Sequence, residues 1–363
     1  MSLVCGLHYI PANPIHELLF RWICKCCGIF ITLFVKELFQ MNNKAIYYSV
    51  GPLLYCPADK TSIADSIRSQ RFGSGYSLAL CLEDTINDYF VEEAENQLIT
   101  SVGEIYEALQ DSEFYLPKIF IRVRRPEQIR LLSGRFGNCG ELITGFIIPK
   151  FDLTNADLYM EQIMELNGIS QVPKYMMPIY ESSAIADLRT RRGILYGLKE
   201  KLTAAEPLVL NIRVGGNDLS HLYGFRREPD ESIHQIGPVS NIFTDIVTVY
   251  GTDYVISGPV WEYYSGSMWE TGLRREIKED KLCGFTGKTV IHPNQIRVVN
   301  EEYRVSEKNY KDALSIMNWN SKEDSYVSGN RDGERMNEYK THLNWARKTC
   351  FLAETFGIIP RTV

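Results

Sequence analysis

The sequence lacks an excess of positive charge. Its 39 Lys and Arg residues are outnumbered by 45 Asp and Glu residues, which gives a formal net charge of −6. Proteins that bind nucleic acid normally carry a basic surface, so this balance argues against a nucleic-acid partner.

It also lacks an apolar run suited to crossing a membrane. The most apolar stretch, residues 18–39, is interrupted by Arg21, Lys25, Lys36 and Glu37, whereas a spanning helix needs about 20 predominantly apolar residues. The stretch does not resemble a signal peptide, because it lies too far from residue 1 and has no clear small-residue cleavage site. We therefore expect no membrane association. Because Met41 begins a stretch typical of a soluble enzyme, residues 1–40 are predicted to be an N-terminal extension outside the catalytic fold.

The nine cysteines lack the spacing of a closed zinc site. Cys24, Cys26 and Cys27 form a tight group, but no second group follows at the distance that such sites need. Single cysteines in apolar contexts suit a reducing compartment, so we expect a cytoplasmic protein.

Short apolar runs alternate with longer helical patterns from residue 50 onward. Eight runs are predicted strands: 52–56, 77–82, 118–123, 143–149, 175–180, 208–214, 253–259 and 288–293. This order over about 250 residues predicts an α/β fold, a (β/α)8 TIM barrel, over residues 41–300. An open doubly wound sheet is the alternative, but PLLYCPADK lacks its GxGxxG fingerprint. Residues 301–363 are predicted to be a C-terminal helical extension, with a polar, turn-rich segment over 320–337.

Polar residues cluster where the predicted strands end. In TIM barrels these ends meet at one mouth, where the chemistry takes place. The sequence places there Pro57, Asp59, Glu83, Asp84, Arg122, Lys150, Glu181, Asp218 and His292. Carboxylates that converge repel one another unless a cation lies among them, and Mg²⁺ prefers oxygen ligands. These residues predict a site for a chelated oxo- or hydroxy-acid anion, in which the metal stabilises an enolate and Arg122 binds the carboxylate.

The stretch GFTGKTVIHPNQ (284–295) resembles a phosphate-binding loop only superficially. Gly284 and Gly287 are three residues apart and an apolar strand follows, whereas a P-loop has Gly, four residues, then Gly-Lys-Ser/Thr before a helix. We interpret the glycines as the entry to the eighth strand and His292 as a strand-end residue.

Several motifs together resemble the HpcH/HpaI aldolase and citrate lyase beta-subunit superfamily. LLYCPADK is similar to that family's LFVPG(D/N)R, LALCLEDTI to LDLEDAV, FIIPK to MLPK, and IYESSAI to LIETAAG. VGGNDLS resembles FGAEDYA, and GFTGKTVIHPNQIRVVNEEY resembles GFDGKWAIHPSQIEPINEAF. The last is the most specific, and the resemblance runs from about Gly51 to the C-terminus.

The resemblance implies a Mg²⁺-dependent aldol or Claisen lyase (Mn²⁺ being possible) acting on a 2-oxo-acid-derived or acyl-CoA substrate. Glu181 and Asp218 would hold the metal, Arg122 the keto acid, and Glu83 and Asp84 would order Arg122. The remaining implied substrate-binding residues are Lys150, Pro57, Asp59 and His292. The implied acid/base is Glu338, or Asn337 if the alignment gap falls elsewhere, which could not transfer a proton.

Two other functions stay open at this point: an acyl-CoA thioesterase on the same barrel, and a homologue that keeps metal and ligand binding but has lost turnover. The resemblance also implies a homo-oligomer, a trimer or hexamer, because the C-terminal extension of such proteins commonly packs over a neighbour. Trp319 and Trp345 are apolar surface for that contact.

Overall fold

The structure is a computed structural model that describes residues 45–320 and 325–360. Within these ranges, eight parallel strands form one sheet: β1 (Pro52–Pro57), β2 (Ser77–Cys81), β3 (Lys118–Arg122), β4 (Ile143–Ile148), β5 (Tyr175–Tyr180), β6 (Ile212–Val214), β7 (Ile256–Ser257) and β8 (Lys288–Val290). Their order is β7-β6-β5-β4-β3-β2-β1-β8. A single parallel bridge between Gly258 and Lys288 joins the two ends. The predicted TIM barrel is therefore confirmed.

Three of the predicted strands are at least three residues shorter than the apolar runs indicated. The run over 208–214 begins in a turn of 3₁₀-helix at Glu206–Leu208, makes one isolated bridge from Val209 to Met176, and becomes a continuous strand only at Ile212. β7 has two residues, and the chain leaves β8 after Val290, three residues before Pro293. Apolar composition located these strands but did not determine where their backbone pairing stops.

Helices follow the strands and cover the outside of the barrel. They are α1 (Ile63–Arg68), α2 (Val91–Asp111), α3 (Pro126–Phe136), α4 (Ala156–Ile169), α5 (Leu188–Thr203), α6 (Gly216–Leu222), α7 (Gly237–Tyr250), α8 (Trp269–Cys283) and α9 (Asn294–Tyr303). In α2 the buried residues Ala94, Leu98, Val102 and Ile105 recur at three- or four-residue intervals, the spacing of one helix face. That face packs into the larger core between helices and sheet.

The barrel interior has its own apolar core, made by the residues that alternate with those facing the helices. Leu53, Ala79, Phe120, Ile147 and Met177 belong to it. Since successive strand side chains point to opposite faces, Arg122 follows Phe120 on the inner face. The interior is filled by side chains, so ligands can reach only its end.

The segment after residue 300 contains α10 (Glu307–Met317) and α11 (Tyr339–Phe356), with short strands β9 (Val305–Ser306), β10 (Val327–Gly329), β11 (Met336–Glu338) and β12 (Ile358–Ile359). The polar segment over 320–337 includes an antiparallel hairpin, β10–β11, which its composition did not indicate. This extension and the barrel belong to one compact unit that begins at Ile46. Residues 1–40, including the Cys24 group, lie outside the described residues.

A buried group of charged side chains lies between β8 and α8, the helix that precedes it. Lys288 Nζ is 2.9 Å from Glu276 Oε1 and 2.7 Å from Asp280 Oδ2. Arg227 pairs with Glu276 and His234 with Asp280. Gly284 ends α8 in the left-handed conformation, with φ of 101°. The lysine of GFTGK is therefore an internal ion-pair residue and not a phosphate ligand. Across the described ranges, we find no helix with the length and apolarity needed to cross a membrane.

Candidate active site

Arg122 is the centre of the barrel mouth. Its Nη2 lies 2.8 Å from Glu83 Oε2, 2.9 Å from Asp84 Oδ2 and 3.1 Å from Glu181 Oε1. The guanidinium is buried. The structure thus brings together side chains from the ends of three strands, as their position in the sequence predicted.

Lys150 is a second cation at the mouth, and its backbone is unusual. Its φ is 48°, in the left-handed region that non-glycine residues rarely adopt. In this conformation its N–H donates to Glu181 Oε1 at 3.1 Å, while Nζ contacts Glu83 and lies 3.2 Å from Asp84 Oδ1. Strained backbone of this kind clusters at functional sites. Lys150 organises the carboxylates of the mouth.

Glu181 occupies a narrow space next to β6. A Cβ on Gly215 would lie 2.2 Å from Glu181 Oε2 and 2.3 Å from its Cβ. Only a residue without a side chain leaves room for the carboxylate at this point. Asp218, in the first turn of α6, is partly exposed and close enough to Glu181 to repel its charge.

The electrostatics of the mouth favour a bound cation. Burial raises the pKa of Glu181 to about 7; Arg122 opposes that increase and Asp218 adds to it. Burial also raises the pKa of Glu83, although Arg122 opposes it. Burial would raise the pKa of Asp84 as well, but its hydrogen bond with Glu83 and the nearby cations outweigh burial and lower it. Four carboxylates share this mouth with two cations, an excess that a divalent ion would neutralise.

The residues of the mouth fit a Mg²⁺ ion whose coordination shell is supplied only in part by the protein. Among the described residues, no three or more His, Cys, Asp or Glu side chains are grouped as a metal site. Glu181 and Asp218 would provide two carboxylate ligands. Mg²⁺ is commonly held by one or two carboxylates, with water and substrate completing its octahedral shell.

The other predicted site residues lie at the rim or beyond it. Pro57 is partly buried at the end of β1, and Asp59 is exposed. The His292 ring stacks on Tyr264, with centroids 4.8 Å apart, and its Nδ1 accepts the N–H of Asn294. Glu338 ends β11, and its backbone N–H donates to His342 Nδ1. The contacts shown for Glu338 lie within the C-terminal extension of its own chain.

Two polar side chains inside the barrel were missed by the sequence reading. Tyr55 in β1 packs against the interior core, and its ring centroid is 5.9 Å from Arg122 Cζ. Arg213 in β6 is buried beside it. Alternation could have found Tyr55, because Leu53, two residues before it, faces the interior core. It could have found Arg213 from Ile212 and Val214, which lie on either side of it and face the helices.

The fold and this mouth accord with comparisons to known proteins. Residues 44–358 match the family of C–C bond lyases of the TIM-barrel fold. The chain belongs to this family. The resemblance drawn from the motifs is thereby confirmed. Glu181, Asp218 and Arg122 lie at or just beyond the strand ends of this barrel.

Individual relatives match this chain over shorter lengths. A (3S)-malyl-CoA thioesterase of Cereibacter sphaeroides is 30% identical over 121 residues, 33% of this chain and 39% of that protein. The mitochondrial citramalyl-CoA lyase of Homo sapiens is 52% identical over 46 residues, 13% of this chain and 14% of that protein. The matched regions thus span well under half of the length of either relative.

Among solved structures, CitE from Mycobacterium tuberculosis, in complex with magnesium, acetoacetate and coenzyme A, aligns with a TM-score of 0.56. It is 18% identical, and the alignment covers 85% of this chain and 99% of that chain. At this identity the likeness shows the barrel fold of this chain.

Proposed function

We propose that the chain is a Mg²⁺-dependent carbon–carbon lyase of the aldol or Claisen type that acts on a 2-oxo-acid-derived or acyl-CoA substrate. The observation that carries this proposal is the contact of Arg122 with Glu83, Asp84 and Glu181. Three carboxylates on one guanidinium keep it fixed at the mouth, next to the pair that would hold the ion.

Each side chain would have a distinct task. Glu181 and Asp218 would hold Mg²⁺, or Mn²⁺ in its place, and the ion would supply Lewis acidity to the oxo group. Arg122 Nε has no hydrogen-bond partner among the described groups, so it keeps a donor for the carboxylate of a 2-oxo acid. Glu83 holds Arg122 in place before substrate arrives, and Lys150 in turn holds Glu83. Such preorganisation is what stabilises charge that develops in the transition state.

The reaction can be tested with malyl-CoA, citramalyl-CoA and citryl-CoA in the presence of Mg²⁺. We expect release of a 2-oxo acid, and loss of both turnover and Mg²⁺ binding in Glu181→Gln. Glu161→Gln, the same substitution at an exposed position of α4, is the matched control. Release of no 2-oxo acid by the wild-type protein, or retention of both properties by Glu181→Gln, would refute the proposal.

A thioesterase is the second candidate, favoured by the similarity to (3S)-malyl-CoA thioesterase over 121 residues. In that reaction water would attack the thioester, and the products would be CoA and an intact hydroxy acid. The same assay distinguishes the two, since a lyase releases a 2-oxo acid instead. Ligand and Mg²⁺ binding without either product would identify a homologue that has lost turnover.

The proposed setting is a cytoplasmic homo-oligomer, a trimer or hexamer, with a 2-oxo acid or acyl-CoA as its small-molecule partner. Trp345, partly exposed and stacked by Arg335, supplies apolar surface for a contact between copies. In such an assembly Glu338 of one copy could reach the mouth of the next. Light scattering of the purified protein measures the oligomeric state directly, and a monomer would contradict this part of the proposal.

A further inference from the structure

The backbone of Lys150 needs support from the residues around it. Its φ of 48° lies in the left-handed region, which is disfavoured for a residue that carries a side chain. In this conformation its N–H donates to Glu181 Oε1 at 3.1 Å. Strained backbone of this kind persists only where the surrounding structure fixes it. The position of the Glu181 carboxylate therefore depends on what holds Lys150.

Asn155 provides that support from the end of the turn that joins β4 to α4. Its Nδ2 donates to the carbonyl oxygen of Lys150 at 2.9 Å, and its Oδ1 accepts the N–H of Asp152 at 3.0 Å. A side-chain amide can make both contacts because it carries donors and an acceptor in one planar group. Asn155 thus closes the turn and bonds directly to the residue whose backbone is strained.

Asn155 makes these contacts instead of capping its own helix. It is the N-cap of α4, but its side chain makes no capping hydrogen bond there. Asn at an N-cap normally accepts an N–H from the first turn, which stabilises the helix. Departures from such a local preference are expected at functional sites. The Asn155 side chain therefore serves Lys150 rather than α4.

Asp152 joins the same turn to the end of β5. Its Oδ1 accepts the N–H of Thr154 at 2.8 Å, and its Oδ2 accepts the Ser182 hydroxyl at 3.1 Å. Ser182 directly follows Glu181 in the chain. The turn is therefore connected to the Glu181 segment twice, through the Lys150 N–H and through Asp152, so a change in the turn reaches Glu181.

We propose that Asn155 is a positioning residue for the candidate metal site. By fixing Lys150 in the left-handed conformation, it keeps the Lys150 N–H on Glu181 and the carboxylate in the orientation that would hold Mg²⁺. This inference deepens the proposed function and rests on it. Asn155 would act through the Lys150 backbone and not by contact with the ion, as outer-shell groups that orient a metal ligand do.

Asn155→Asp tests the proposal with a side chain of the same shape. The variant keeps an acceptor for the Asp152 N–H but loses the donor to the Lys150 carbonyl oxygen. Mg²⁺ affinity, measured by titration calorimetry, should fall by about 10-fold, the lower end of the range for loss of an outer-shell group. Thermal unfolding should change little, because a carboxylate at the start of α4 is favoured by the helix dipole.

Asn241→Asp is the matched control, since it makes the same substitution at an exposed position near the start of α7. It should leave Mg²⁺ affinity at the wild-type value. Equal Mg²⁺ affinities in Asn155→Asp and Asn241→Asp would overturn the proposal.

Hydrogen exchange of the Lys150 amide, followed by NMR in the metal-free protein, tests how Asn155 acts. In the wild type this amide donates to the buried Glu181 carboxylate and should exchange slowly. In Asn155→Asp it should exchange several-fold faster, while the amides of α4 keep their rates. Faster exchange throughout α4 with an unchanged Lys150 amide would overturn the proposal, because Asn155 would then support the helix.

Lys150→Gly tests whether Asn155 acts through the Lys150 backbone. Gly adopts positive φ without the steric cost, so the support from Asn155 should matter less in this background. We expect Asn155→Asp to lower Mg²⁺ affinity by less than about twofold when it is added to Lys150→Gly, a departure from additivity that indicates coupling. The same loss in both backgrounds would overturn the proposal, since Asn155 would then act independently of Lys150.

These measurements keep the inference distinct from the proposed function. If the wild-type protein binds Mg²⁺ but releases no 2-oxo acid, the lyase proposal fails, and weaker Mg²⁺ binding in Asn155→Asp still supports the role of Asn155. If the wild-type protein cleaves its substrate and Asn155→Asp changes neither Mg²⁺ affinity nor Lys150 exchange, the inference alone is overturned. A wild-type protein that binds no Mg²⁺ overturns both.

Discussion

Replacing Gly215 by Ala should damage the candidate metal site without removing any of its charged groups. The added Cβ would lie 2.3 Å from the Cβ of Glu181 and 2.2 Å from its Oε2. The carboxylate end could rotate away, but the Glu181 Cβ is fixed to the backbone, so β5 or β6 must shift. Overpacking of this kind lowers the free energy of unfolding by about 1–3 kcal/mol.

The same shift should move the Glu181 carboxylate away from Asp218. Loss of a supporting group around a metal typically lowers affinity about 10- to 100-fold, and we expect that range for Mg²⁺. Urea denaturation gives the stability change and titration calorimetry the affinity. Gly193→Ala in α5 is the control, because a Cβ there meets open space and should stabilise the helix slightly. The reasoning fails if Gly215→Ala matches Gly193→Ala in both measurements.

Three further outcomes are expected. The pKa of Glu181 is raised to about 7, so folding favours its protonated form. The metal-free protein should therefore lose up to about 3 kcal/mol of stability as the pH rises from about 4.5 to about 7. In Glu181→Gln, urea denaturation should show less of this pH dependence. Lys288→Met removes the cation that two buried carboxylates share, and should lower the free energy of unfolding by about 3–5 kcal/mol. Lys201→Met, which removes a more exposed ion pair, should change it by less than about 1 kcal/mol. Equal effects in urea denaturation would contradict the role of burial. Arg122→Lys keeps one charge but loses the planar fork, so turnover should fall by about 100-fold or more, and near-normal kcat/KM would count against the assignment.

The sequence made the barrel predictable because the two faces of its strands are both buried. Continuous apolar runs such as ITGFII in β4 stand out against amphipathic helices, and their order along the chain determines which strands are neighbours. The ends of the strands then placed Glu83, Arg122 and Glu181 at one mouth. Their convergence follows from the architecture alone, without any knowledge of side-chain contacts.

What composition could not predict is how those side chains divide their contacts. The substrate-binding role expected for Lys150 stays a prediction. Its hydrogen bond to Glu181 through a left-handed backbone could not be foreseen, because no residue pattern signals that conformation. The hairpin β10–β11 was missed because its strands are three residues long and polar. Arg213 was missed because only residues at the strand ends were considered for the site, whereas Arg213 lies within β6 and is buried.

The seam between β7 and β8 also determines when the barrel can become complete during folding. Each strand from β2 to β7 pairs with the strand before it along the chain, so an open sheet can grow in sequence order. Ring closure is different, because it pairs Pro52 with Lys288 and dehydrates Lys288 against its two carboxylates. Contacts between distant parts of a chain form slowly. Until they form, both outer strands present unpaired backbone, which invites association with other chains. We therefore expect intermediates that contain β1 to β7 but not β8 to be the species most prone to aggregation.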